Sequence, residues 1–170
     1  MNWPVLILGV TAKFLLPLAL IPFPFAAGWA NFVLDSVDGD LLIPAGLPDP
    51  LYQNIDKSAD WFTYLCIVVA ARRWPIWRLI VALFVFRSVG QAAFVVTQDE
   101  FVFFLFPNFL EPVFLVCATI LRFRGADAWA FASRHRWVLG ALIVLYKMQD
   151  EYVTHVANVD RSELIGRLFS

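Results

Sequence analysis

Charge is what this sequence has least of. Only 16% of its 170 residues are Asp, Glu, Lys or Arg, against about a quarter in an ordinary soluble domain. Lysine is nearly missing: three residues, at 13, 57 and 147, stand beside ten arginines. With a net charge of −1 there is no basic surface of the kind nucleic acid requires, so no nucleic-acid partner is expected. The two cysteines, Cys66 and Cys117, lie inside apolar runs. They make no disulfide framework and read as small apolar packing groups. No Cys/His zinc spacing, Walker motif, glycine-rich phosphate loop or Ser-His-Asp arrangement is present.

What remains is apolar. Hydrophobic residues make up 61% of the chain, with 17 Phe and 7 Trp. About 20 such residues span a bilayer, so the fold class expected is all-α, a polytopic transmembrane helical bundle forming a single integral-membrane domain. Apolar runs place helices at about 3–22, 52–71, 75–97, 100–122 and 137–157, five full spans. A short helical segment at 25–38 follows the break at Pro22 and Pro24, and residues 39–50, with two Gly and three Pro, read as loop. The start Met1-Asn2-Trp3-Pro4 carries no basic stretch and Lys13 interrupts the run behind it, which argues against a removable signal peptide. Arg72, Arg73 and Arg78 flank one connection, and Arg122, Arg124, Arg134 and Arg136 another. The positive-inside rule puts loops 72–78 and 122–136 in the cytoplasm and the Asp-rich segment 35–60 on the opposite side.

Charges within spans are costly and are usually paired or functional. Arg87 and Glu111 stand about 15 Å from the same surface on consecutive antiparallel helices, which predicts an Arg87–Glu111 ion pair. Such a pair either orients two helices or serves a ligand or a proton. Gln91, four residues after Arg87, and Asn108, three before Glu111, extend the polar face. Pro107 and Pro112 bracket Asn108 and Glu111 and predict a kink there. Lys147, Glu151 and His155 share one stripe by i,i+4 spacing, with Asp150 beside it. Lys13, midway along the first span, is expected to meet an acid, Asp150 or Glu111.

The most specific pattern is acidic. Asp35 and Asp38 are three apart, with Asn31 on the same face, and Asp56 and Asp60 are four apart. The intervening loop folds one pair back on the other, so four carboxylates can converge. A divalent cation removes their repulsion and suits hard oxygen ligands; without one they form a solvated acidic loop.

These residues resemble the integral-membrane CDP-alcohol phosphotransferases, whose signature is D-x2-D-G-x2-A-R-x8-G-x3-D-x3-D. Asp35, Asp38, Gly39, Asp56 and Asp60 match it across residues 35–60. The Ala-Arg positions hold Leu42 and Ile43, and the second Gly position holds Tyr52. The resemblance implies six membrane helices, with the first aspartates ending the second and the last pair opening the third. It implies Asp35, Asp38 and Asp56 as ligands of Mg²⁺ or Mn²⁺, and Asp60 as the base that activates an alcohol. It also allows a degenerate relative that keeps the metal or headgroup site. Two other readings stand beside it. One is a non-catalytic accessory subunit of a larger membrane complex, its partners membrane lipids, other subunits or a homo-oligomer. The other is a small transporter built around Lys13, Arg87, Glu111 and Asp150.

Overall fold

The computed structural model describes residues 1–99 and 101–155, His155 by its backbone alone. Glu100, the His155 side chain and residues 156–170, which include the end of the span expected at 137–157, lie outside the described residues. Every regular element among them is helical. In chain order they are α1 (Trp3–Leu15), α2 (Pro24–Leu42), α3 (Asp49–Ala70), α4 (Trp77–Thr97), α5 (Phe101–Leu105), α6 (Leu110–Arg124), α7 (Ala128–Arg134) and α8 (Arg136–His155). Tight 3₁₀ turns follow α1, α3 and α6.

The expected bundle is therefore helical, but its segments differ from five uniform spans. Among the described residues two stretches are long and apolar enough to cross a membrane, Trp3–Leu20 and Trp77–Thr97. The other helices fall short for visible reasons. The first half of α3 carries Asp49, Asp56, Lys57 and Asp60; α6 has 15 residues; α8 carries Lys147, Asp150 and Glu151. The segment expected at 25–38 is longer, running 19 residues through Asp38, Gly39 and Asp40 to Leu42. Leu42 is buried against Leu6 and Leu47, and this contact carries the helix past the acids.

The stretch at 100–122 is broken rather than kinked. Pro107 cannot donate to a helix ladder, and the Asn108 N–H turns instead to Glu151 Oε1 at 3.0 Å. Helix α6 then starts at Leu110, so Glu111 sits in its first turn. A carboxylate is favoured at that positive end of the helix. At the far end, after Arg122 and Arg124, Gly125 takes a positive φ of 53°, which side chains rarely adopt, and the helix stops there.

The core packs Leu20, Ala27, Tyr64, Ile67, Ile80, Leu110 and Phe114 where α2, α3, α4 and α6 meet. Trp74 stacks on Phe114 with ring centroids 5.0 Å apart. A smaller cluster of Leu6, Leu42 and Leu47 closes the end of the bundle where α2 turns into α3.

Candidate functional site: an acid cluster closed by Lys13

Helix α2 delivers Asp35 and Asp38 near its C-terminus, and α3 delivers Asp56 and Asp60 in its first half. The connection at 43–48 is short enough to bring these ends together. Ligand oxygens of Asp35, Asp38 and Asp56 lie within 4.8 Å of one another. Hard oxygen donors at that spread suit a small divalent cation, whose metal–oxygen bonds run from about 2.0 to 2.6 Å.

The group that meets all three is Lys13. Its ammonium donates to Asp38 Oδ2 in a very short contact, to Asp56 Oδ1 at 2.5 Å and to Asp35 Oδ1 at 3.4 Å. The Lys13 side chain is 4% exposed and that of Asp38 2%. The expected partners, Asp150 and Glu111, are replaced by the aspartates because α1 lies against α2 and α3. Lys57 serves the other side, 2.7 Å from Asp56 Oδ2 and 3.8 Å from Asp60 Oδ2. By formal charge, four carboxylates against two ammonium groups leave the cluster negative. It can accept further positive charge.

Tyr52 lies across the cluster. Its hydroxyl donates to Asp38 Oδ1 at 3.0 Å. The Tyr52 hydroxyl oxygen stands 3.0 Å from where a Cβ on Gly39 would lie, so a larger residue at 39 would crowd the phenol. The phenol thus fills the place where the resemblance puts a glycine that admits a nucleotide. Ile43, at the arginine position, follows the end of α2 and brings no charge. Asp60 stands a little apart: with Lys13, Asn31, Asp35 and Thr63 it lines a void of about 10 Å³, roughly one water in size.

A second polar group lies where α4, α6 and α8 meet. Arg87 directs Nη1 to the Phe106 carbonyl at 2.8 Å and to Glu151 Oε1 at 3.8 Å, with its guanidinium 4.5 Å from the Phe103 ring centre. The expected Arg87–Glu111 pair is absent from the ion pairs among the described residues; Glu151 takes that role. The break before α6 explains the change. It places Glu111 beside Asn108, whose Nδ2 donates to Glu111 Oε2 at 3.0 Å and also meets the Tyr64 hydroxyl at 3.0 Å. Lys147 joins from α8, 2.6 Å from Asp150 Oδ2 and 3.3 Å from Glu151 Oε1. The predicted α8 stripe is present as far as Glu151.

Glu111 and Lys147 also edge an apolar cleft of about 390 Å³ between α2, α6 and α8, lined by Trp29, Phe32, Leu142 and Ile143. Gln91 faces a larger cleft between α3 and α4, which Lys57 also lines. Spacing along one helix gave no sign of these clefts, because each forms between helices.

Compared with protein-family models, curated proteins and solved structures, the chain matches none. The likeness to the CDP-alcohol phosphotransferases thus rests on Asp35, Asp38, Gly39, Asp56 and Asp60 and on the order of the helices that carry them.

Proposed function

We propose that the chain is a multi-pass membrane protein whose acid cluster is a cation site, in which the Lys13 ammonium and a divalent cation are alternatives. On this reading it is a degenerate relative of metal-dependent lipid-headgroup phosphotransferases: the carboxylates are kept and the nucleotide-admitting position is closed. One observation carries the proposal. A buried ammonium meets Asp35, Asp38 and Asp56 at once, where the resemblance would put a metal. Asp35, Asp38 and Asp56 would hold the ion, which supplies charge neutralisation for a phosphate group.

The test is thermal unfolding of the detergent-purified protein with Mg²⁺, Mn²⁺ or Ca²⁺, on wild type, Lys13→Met and Asp56→Asn. Lys13→Met strands three carboxylates, and breaking a buried ion pair costs about 3–5 kcal/mol. If the cluster is a cation site, Mn²⁺ restores most of that loss by mass action, about 2.7 kcal/mol at a hundred times Kd. Asp56→Asn should respond far less. A Lys13→Met protein that is destabilised and indifferent to every divalent ion would reduce the cluster to a fixed ion-pair network.

A second reading, an active CDP-alcohol transferase, is favoured by the position of Asp60, which reaches the cluster across a void the size of one water. In that case Mn²⁺-dependent transfer from CDP-diacylglycerol to an alcohol is measurable, and Asp60→Asn abolishes it without lowering the unfolding midpoint by more than a few degrees. Turnover that survives in Asp60→Asn would end that assignment.

A further inference from the structure

Two small voids lie side by side inside the bundle. The first is the one beside Asp60, about 10 Å³ in volume, whose polar lining is Lys13, Asn31, Asp35, Asp60 and Thr63. The second, also about 10 Å³, has Asn31, Thr63 and Glu111 as its polar lining and is otherwise apolar. Each has room for roughly one water and polar partners enough to hold it. Asn31 and Thr63 line both voids and so stand between them. Helix spacing puts them there: Asn31 is one turn before Asp35 on α2, and Thr63 is three residues after Asp60 on α3.

Both shared side chains are uncommitted. The hydroxyls of Ser36, Ser58, Thr97 and Thr119 donate to the carbonyl four residues back, a common resort of hydroxyls within helices. The Thr63 hydroxyl makes no such bond among the described residues, although Thr63 is 4% exposed. The Asn31 amide is likewise without a side-chain hydrogen bond among them. A hydroxyl donates and accepts, so it can hand on a proton. Glu111 closes the row. Its Oε2 accepts from Asn108 Nδ2 at 3.0 Å, while Oε1 has neither hydrogen bond nor ion pair among the described residues. The titratable and charged groups around Glu111 are Lys147 of α8, Arg87 of α4, Asp35 of α2, and Asp56, Asp60 and Tyr64 of α3. At the other end of the row the Asp35 side chain is 42% exposed and reaches the surface.

We propose that Asn31 and Thr63 carry a proton path between the acid cluster and Glu111, with one water in each void. Glu111 gives its proton to the water beside it while that water protonates the Thr63 hydroxyl oxygen. The original Thr63 hydroxyl proton passes to the second water, which protonates Asp60. Each relay group ends with the protons it began with, Glu111 becomes a carboxylate and Asp60 a carboxylic acid, and the path runs equally in reverse. Asn31 positions both waters. Glu111 also edges the apolar cleft between α2, α6 and α8, so the path makes the charge at that cleft follow the pH at the acid cluster. The inference goes beyond the cation site and needs no metal: Asp56→Asn tests that site, and Thr63→Val tests this path.

The experiment is infrared difference spectroscopy on the full chain in detergent after a rapid pH step. It follows the carbonyl band of protonated Glu111, identified by its loss in Glu111→Gln. In Thr63→Val and in Asn31→Leu the band should reach the wild-type amplitude, but about ten- to a hundred-fold more slowly, because one link of the path is gone. Thr63→Ser keeps a hydroxyl and should keep the wild-type rate. A wild-type rate in Thr63→Val or Asn31→Leu would overturn the proposal, since protons would then reach Glu111 by another way, such as the cleft between α6 and α8. A slow Thr63→Ser, or a Glu111 band that no pH step changes, would overturn it too. So would a Thr63→Val protein that unfolds several degrees earlier than wild type, because the hydroxyl would then have a structural partner.

Discussion

Each of the three lysines ends among carboxylates: Lys13 with Asp35, Asp38 and Asp56, Lys57 with Asp56 and Asp60, Lys147 with Asp150 and Glu151. An ammonium needs strong acceptors once it leaves water, and in an apolar molecule the acids are the strongest available. The same logic ranks the acids. Glu151 accepts from the Asn108 N–H and meets both Arg87 and Lys147, whereas Glu111 is served by Asn108. Glu151→Ala leaves two buried cations and a backbone donor short of a partner, so a loss of about 3–5 kcal/mol is expected. Glu111→Ala should cost about 1–3 kcal/mol. Unfolding of both variants in detergent gives the order, and a Glu111→Ala protein less stable than Glu151→Ala would reverse the assignment of the Arg87 partner. Convergence of Asp35, Asp38 and Asp56 was legible from i,i+3 spacing and the Gly- and Pro-rich connection, whereas Asp60, expected with them, stands a little apart. The partners of Lys13 and Arg87 were not, because no periodicity links residue 13 to 56 or residue 87 to 151. Those contacts depend on which helices become neighbours.

At the scale of the elements, the clearest departure is the break between α5 and α6. Two prolines and an asparagine in 107–112 signalled a disturbance. Whether the chain bends or stops depended on Glu151 capturing the Asn108 N–H, a contact from the other end of the sequence. The break brings Phe106 against Gly90 of α4, so close that a Cβ on Gly90 would overlap the Phe106 Cβ. Small residues allow such close helix approach in membranes. Gly140 on α8 has nothing within 4 Å of its would-be Cβ. Gly90→Ala should therefore destabilise by about 1–3 kcal/mol through overpacking and stretch the nearby Arg87 contact to the Phe106 carbonyl. Gly140→Ala should be neutral or gain up to about 1 kcal/mol of helix propensity. Equal effects at the two sites in a detergent unfolding assay would mean that the α4 approach to Phe106 is loose.

At the scale of the whole molecule, the fold leaves much apolar surface outside. The stretches Trp3–Leu20 and Trp77–Thr97 are each 22% buried, whereas the core helix of a soluble protein would be mostly covered. Leu8 is 73% exposed, Val96 84% and Trp137 80%, and such a surface is stable when lipid covers it. Helix α4 has 21 residues, about 31 Å at 1.5 Å each, which matches a hydrocarbon core of about 30 Å. If α4 crosses, the arginines at 72–78 and the turn at Gln98 lie on opposite sides, and the acid cluster shares the Gln98 side. The positive-inside rule then puts Arg73 in the cytoplasm. Single cysteines at Arg73 and Gln98, in a background with Cys66 and Cys117 replaced by alanine, test this in sealed vesicles of known orientation. A membrane-impermeant maleimide should label Gln98→Cys from outside and Arg73→Cys only after permeabilisation. Labelling of both from one side would mean that α4 does not cross, and the exposed apolar face would then need a protein partner in place of lipid.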